Sequence, residues 1–318
     1  MAKKFRILSI DGGGLRGIVP LLILKEIENQ TGKKIFELFD LITGTSTGGI
    51  IACGLVATTD GLTPSITVDK LIDLYTTKGE VIFPYKKNIF QKIGSGFNSL
   101  FNPKFSANGL DGLLTDYFAD LKLSNCLKPI IVTSYDIKNN EVVMFKSRLS
   151  DEIGWNAKLK DVCRSTSAAP TYLPSYPLAF SGKGRVLIDG GVYINNPALA
   201  AIADALKSGQ KLGNIEVLSL GTGTHPADLG MKNTPSWGVV NWAKPISNIM
   251  MQATSNATVY ECEQLLKKHL RIQIEIEDPK KTDMSDSRPE TTKWICDKVY
   301  SDVLNNSKVM KDLKNFFS

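Results

Sequence analysis

Phe39-Asp-Leu-Ile-Thr-Gly-Thr-Ser46-Thr-Gly-Gly-Ile-Ile51 runs from one apolar stretch, through glycines flanking a serine, into another apolar stretch. Phe39–Thr43 reads as a strand, Gly44–Gly49 as a break, and Ile50–Ala57 as a buried helix. Gly44-Thr-Ser46-Thr-Gly48 matches G-x-S-x-G, a serine held on a sharp strand-to-helix turn. The turn needs residues without a Cβ two before and two after the serine, and it leaves the hydroxyl above the sheet. The helix that follows favours a developing anion at its N-terminus. The pattern is short enough to arise by chance, and its strand and helix flanks give it weight. Gly44 to Gly49 also has the spacing of a phosphate loop. Ile50 and Ile51 stand where such a loop needs lysine and a hydroxyl, so that reading fails.

Upstream, Phe5–Ile10 reads as a buried strand and Asp11-Gly-Gly-Gly-Leu-Arg-Gly17 as a loop. A helix follows, with Pro20 in its first turn and Leu21, Leu24 and Ile27 on its apolar face. Gly12, Gly14 and Gly17 spell G-x-G-x-x-G, and two functions compete for them. In a dinucleotide-binding unit the loop amides meet a pyrophosphate, and Asp40 stands at about the right distance to hold a ribose. That reading makes the chain an NAD(P)-dependent oxidoreductase. In an acyl-transfer enzyme the same amides form an oxyanion hole. Arg16 suits either anion. The acyl-transfer reading also gives work to Gly44–Gly48 and to Asp189-Gly-Gly191, which the nicotinamide reading leaves idle.

Downstream, Pro129–Tyr135 and Glu141–Phe145 read as strands, and Leu110, Leu113, Leu114, Tyr117 and Phe118 recur at helical spacing. Lys158–Ala169 reads as a helix stopped by Pro170. Arg185–Ile188 is a short strand ending at Asp189. Asn196 can cap a helix from Pro197 to Gly209, and Ile215–Leu220 is a strand ending in Gly221-Thr-Gly223. Leu270–Ile276 alternates as a half-exposed strand does, and Trp294–Phe317 reads as one closing helix. Alternating strands and helices predict a single α/β domain with a mainly parallel sheet. The glycine loop, Ser46, Asp189 and the Gly221 loop each follow a strand's carboxyl end. In a parallel sheet those ends share one edge, where ligands bind.

Composition narrows the chemistry. Among 318 residues, 38 Lys+Arg against 32 Asp+Glu leave a mild +6, compatible with an anionic surface. No dense basic tract argues for a nucleic acid. No apolar run reaches the roughly 18 residues of a membrane span. No apolar leader with a small-residue cleavage site follows the start, so a cytoplasmic location is expected. Cysteines 53, 126, 163, 262 and 296 are odd in number and lack a CxxC pair, which fits reduced thiols. Two histidines, His225 and His269, rule out a poly-histidine metal site. No acidic cluster has EF-hand spacing, so no metal or other cofactor is expected.

Asp-Gly-Gly-Gly-Leu-Arg-Gly at 11–17, Gly-Thr-Ser-Thr-Gly-Gly at 44–49, Ser-Ala-Ala-Pro-Thr at 167–171 and Asp-Gly-Gly at 189–191 together resemble the patatin-like phospholipases. Ser219-Leu-Gly-Thr-Gly223 is similar to that family as well. The matches run in order from about residue 5 to 225. The resemblance implies a three-layer α/β fold with a mainly parallel central sheet between helices. It also implies a lipid acyl hydrolase, of phospholipase A or lysophospholipase type, that uses a Ser–Asp dyad. By position, Ser46 is the nucleophile, Asp189 the base, and Gly44 and Gly48 the elbow glycines. Gly13 and Gly14, with Gly12 and Arg16 alongside, form the oxyanion hole, supported by Gly17, Gly190 and Gly191. Residues 1–318 then form one domain, in which a motif-bearing core of about 5–225 carries residues 230–318 packed on it. Some bacterial members are immune effectors switched on by a signalling nucleotide, and nothing in the sequence locates such a site.

Ser46, Asp189 and His225 also satisfy the Ser–Asp–His order of an α/β-hydrolase triad. His225 lies in a loop beside Pro226, and His269 reads as a solvated helix end. An ordinary aspartate, with a pKa of about 3.9, is a poor base at pH 7. A dyad therefore requires a partly desolvated Asp189 within hydrogen-bond reach of Ser46. A glycerolipid or phospholipid substrate calls for transient contact with a membrane surface. Phe83–Phe105, rich in Phe and Lys, is one candidate segment, as a lid, a lipid-contacting surface or a loop whose aromatics enter the core, and the closing helix is the other. Headgroup, acyl position, oligomeric state, an activating partner and the balance of hydrolysis against acyl transfer stay open.

Overall fold

β1 (Phe5–Ile10) alternates its side chains between two apolar layers, because successive residues of a strand point to opposite faces. Leu8 and Ile10 enter one layer with the first helix, and Ile7 enters the other. Burying each such side chain contributes roughly 2 kcal/mol. The computed structural model describes residues 4–85, 102–225, 234–238, 241–242 and 246–318.

α1 (Ile18–Thr31) follows the glycine loop and ends at Gly32, whose φ of 66° is the left-handed conformation that closes a helix. β2 (Leu41–Thr45) leads through Ser46 into α2 (Thr47–Val56), which is buried throughout. After α3 (Val68–Thr76) and α4 (Asn108–Phe118) come β3 (Ile130–Asp136) and β4 (Glu141–Lys146). Then follow α5 (Leu159–Thr166), β5 (Tyr176–Phe180), β6 (Lys183–Asp189), α6 (Ala198–Lys207) and β7 (Ile215–Leu220). The chain closes with α7 (Ile246–Leu265), β8 (His269–Ile272), α8 (Pro289–Val299) and α9 (Ser307–Phe317). The described strands form one sheet ordered β5-β6-β3-β2-β1-β7-β8, with β4 also on β3. β3, β2, β1, β7 and β8 run parallel. Helix α6 covers one face, and α1, α2, α5 and α8 contribute to the other, which makes three layers.

Four readings of the sequence need correction. β6 runs antiparallel to β3, so its end does not share the parallel strands' direction. It reaches the same place from the opposite side. Thr45 lies opposite Thr133, and Asp189 lies opposite the adjacent Ser134. β4 occupies the other edge of β3, so β2 and β6 meet end to end along one edge, with Ser46 and Asp189 at the junction. β5 is a strand where none was read. The closing helix is two helices, joined by a π-helical turn at Tyr300–Leu304 and restarted by Asn306, whose carboxamide accepts from the amides of Lys308 and Val309. His269 begins a half-buried strand rather than ending a solvated helix.

Within Phe83–Phe105, residues 86–101, with Phe90, Phe97, Phe101, Lys86, Lys87 and Lys92, lie outside the described residues. The flanking Phe83 and Phe105 are core residues whose rings pack edge to face at 4.9 Å. All five cysteines are unpaired. Among the described residues, no helix is long and apolar enough to cross a membrane.

Candidate active site

Ser46 sits at φ 54°, ψ −122°, a conformation that L-residues rarely adopt, between the end of β2 and the start of α2. Its amide donates to Thr166 Oγ1 at 2.8 Å, and its carbonyl accepts from Gly49 and Ile50. The two elbow glycines follow from packing. A Cβ on Gly44 would overlap the carbonyl of Gly48, and one on Gly48 would overlap that of Ile10. Turn and helix can pass this close to β1 only with bare backbone at both positions.

Asp189 ends β6 and turns into a glycine pair. A Cβ on Gly190 would overlap Thr133, so the chain hugs β3 there. The carboxyl group is buried at 5% exposure and accepts from the Gly191 amide at 2.7 Å. The Ser46 hydroxyl interacts with the same carboxyl group. Burial pushes the Asp189 pKa up to about 6, against the opposing pull of hydrogen bonds from Ser46 and Gly191.

The glycine loop lies directly over this pair, and a Cβ on Gly12 would stand 3.3 Å from Ser46 Cβ. Its three leading amides differ. Gly12 donates to the Asn195 carbonyl at 3.1 Å, so that amide is occupied. Gly13 and Gly14 donate to no acceptor among the described residues. Arg16 folds back so that Nε approaches the Gly13 carbonyl at 3.4 Å, and Nη1 is buried without a hydrogen-bond partner among the described residues. Burial lowers the Arg16 pKa to about 10, which leaves it charged at neutral pH. Gly17 clears Thr47 and Tyr75, bringing the loop's end against α2.

Several residues passed over in the sequence hold this loop. Asp11, buried, takes a fork from Arg271 at 2.6 and 2.9 Å and a bond from Ser255 Oγ at 3.0 Å. Thr222 Oγ1 donates to the Gly12 carbonyl at 2.6 Å, and the Leu15 amide donates to the Met284 carbonyl. Residues beyond 230, which carry no motif, thus secure the loop through Ser255, Arg271 and Met284. Asn196 accepts from Ser9 and from the Ala198 amide, so it caps α6 as its position suggested.

The other candidates stand elsewhere. Asp40 accepts from the Arg6 amide at the amino end of β2, the opposite sheet edge from the glycine loop. It cannot hold the ribose of a dinucleotide bound there, so the NAD(P) reading fails. His225 lies on the Gly221 loop in an open recess beside Gly12, where its carbonyl accepts from Gln252. Among the described residues, the hydrogen-bonding groups on the Asp189 carboxylate are Ser46 and Gly191. His269 sits beside Arg271, and burial first and that charge second lower its pKa to about 4.

A strained serine between strand and helix, beside a buried carboxyl group under a glycine loop, is thus set at one edge of a mainly parallel α/β sheet. A family model described as patatin-like phospholipase matches residues 8–202. Patatin-like protein 2 of Arabidopsis thaliana is 35% identical, across 79% of this chain and 69% of that protein. Patatin-like protein 2 of Oryza sativa is 31% identical across 86% and 77%, and patatin-T5 of Solanum tuberosum 31% across 82% and 72%. A solved structure, VipD from Legionella pneumophila, covers 94% of this chain and 67% of its own at TM-score 0.44 and 11% identity, too distant to bear on the chemistry. The chain belongs to the patatin-like phospholipase family and is an esterase acting on lipids.

Proposed function

We propose that the protein cleaves acyl ester bonds of glycerolipids through an acyl-serine, with Ser46 as nucleophile and Asp189 as base. The observation that carries this is the placing of Ser46, just past the end of β2, beside the buried Asp189, which ends β6 along the same edge of β3. Ser46 Oγ attacks the ester carbonyl, and its proton passes to Asp189. A carboxylate with a pKa near 6 is mostly ionised at pH 7 yet a stronger base than an ordinary aspartate. The negative charge arising on the carbonyl oxygen is met by the unoccupied amides of Gly13 and Gly14 and by the N-terminus of α2. One such donor is typically worth 10²- to 10³-fold in rate. Asp189 then returns the proton to the departing alkoxide, and the acyl-serine waits for water.

Arg16 supports the hole indirectly, by fastening the Gly13 carbonyl and adding a buried positive charge. Substrate presented in a bilayer or micelle requires contact with that surface, for which residues 86–101, with their aromatics and lysines, are the candidate. Charge reversal of Lys86, Lys87 and Lys92 should weaken binding to anionic phospholipid vesicles; unchanged binding removes that segment from the account.

Turnover of a short-chain ester and of phospholipid vesicles by S46A, D189N and H225A tests the assignment. S46A and D189N should lose at least 10³-fold in kcat, and H225A should stay within threefold of wild type. A loss in H225A matched by retention in D189N would replace the dyad with a rearranged triad.

A further inference from the structure

We propose that Asn195 is a positioning residue for the second half of the reaction: its side-chain oxygen orients the water that attacks the acyl-serine. The inference rests on the reading of Ser46 and Asp189 above and deepens it. Asn195 lies four residues past Gly191, with its main chain tied to the glycine loop through the Gly12 amide. The residue is 8% exposed, and its Oδ1 is buried with no hydrogen-bond partner among the described residues. A buried acceptor left unpaired is costly, and in a native site it calls for a reason.

Its surroundings supply one. A Cβ on Gly12 would stand 2.6 Å from Asn195 Oδ1 and 3.3 Å from Ser46 Cβ. A Cβ on Gly191 would stand 3.1 Å from Asp189 Oδ1 and 3.6 Å from Asn195 Oδ1. The two oxygens therefore lie 3.1 and 3.6 Å from one point beside Gly191, where a side chain would crowd them and glycine brings none, with Met251 close by on another side. An open recess lined by Gly12, Asn195, Thr222, Met251, Gln252 and Ser255 among others shares Asn195 and Met251 with this point. Two acceptors this near each other suit a single water molecule, which has two hydrogens to give.

The step balances. One hydrogen of the water points to Asp189, which removes it; the other is held by Asn195 Oδ1. The water's lone pair is thereby turned toward the acyl carbon, where the new C–O bond forms. The tetrahedral intermediate collapses with cleavage of the bond to Ser46 Oγ. Asp189 returns the proton to Oγ, and the free fatty acid leaves. Acylation needs none of this, because the nucleophile there is the serine itself.

The two half-reactions separate in a stopped-flow experiment with p-nitrophenyl butyrate, where the burst reports acylation and the steady state deacylation. In N195A the burst rate should stay within twofold of wild type, while deacylation slows about tenfold, as loss of one orienting hydrogen bond implies. The acyl-enzyme then accumulates, as intact-protein mass spectrometry would register. N195D keeps an acceptor and should recover most of the deacylation rate at pH 8, and its added charge should shift the acidic limb of deacylation upward. A merely structural role moves neither the ratio of the two phases nor that limb. Burst amplitude counts folded sites, and N195L serves if N195A shows too few. Equal slowing of both phases, or no slowing, overturns the proposal. A wild type that forms no acyl-enzyme overturns the Ser46 reading itself, and this proposal with it.

Discussion

Replacing Asp189 with asparagine should stabilise the protein while lowering its activity at least 10³-fold. The folded-state pKa of about 6 stands some two units above the 3.8 of an unstructured aspartate, because the carboxylate is buried. At 1.36 kcal/mol per pKa unit, holding that group ionised at pH 8 costs the folded state about 3 kcal/mol. The sign follows from proton binding. Between pH 3.8 and 6 the folded state keeps a proton that the unfolded state has released, so stability falls as pH rises. Stability from this group is full below the unfolded pKa and lost once pH has risen through about 6. Asparagine has no such titration, and its Oδ1 can still accept from Gly191, which bonds Asp189 at 2.7 Å. Urea unfolding of wild type and D189N at pH 4 and pH 8 isolates the effect, since other titrating groups cancel in the difference. The variant should gain about 2.4 kcal/mol on wild type between the two values, because the unfolded aspartate is already more than half ionised at pH 4. A difference that does not change with pH, or a variant that loses ground at pH 8, refutes the desolvated carboxyl group on which the mechanism depends.

The pH–rate profile should show an acidic limb near pH 6, where Asp189 gains its proton, and that limb should be absent from the residual activity of D189N. R271A strands Asp11 as an uncompensated buried charge under the glycine loop, so thermal or urea denaturation should report a loss of roughly 3–5 kcal/mol. G48A drives a methyl group into the Ile10 carbonyl, and a destabilisation of roughly 1–3 kcal/mol with a slower acylation burst is expected.

The first half of the site was plain in the sequence. Strand, loop and helix around Asp11–Gly17 and around Ser46 carry their own punctuation, because apolar runs stop where glycines start. Gly44 is demanded by contacts only four and five residues along the chain, and Gly48 by the end of the adjacent β1. Strand direction is different in kind. Nothing in Arg185–Asp189 encodes that it runs against β3, since direction is set by the partner about fifty residues earlier. β5, with Pro177 and half-exposed alternation, carries too weak an apolar signal to be separated from a loop. The break at Asn305-Asn306 was legible, since Asn306 before Ser307 is a capping signal that the apolar spacing of the closing segment outweighed.

Support for the loop was the least legible part. Asp11 and Arg271 are 260 positions apart, and neither local pattern asks for the other. His269 looked solvated because two lysines precede it, while strand pairing with β7 draws it inward. Asn195 carried a weak sign, an asparagine pair before Pro197, of which the second member caps α6 and the first turns to the site.

The central claim is that Ser46, aided by Asp189, is the group that takes the acyl chain. Treatment with a fluorophosphonate probe followed by peptide mapping tests it most directly. The account predicts one adduct, on Ser46 within Gly44–Gly49, absent from S46A, strongly slowed in D189N and unchanged in H225A. An adduct that persists in S46A, or that maps to another residue, contradicts it.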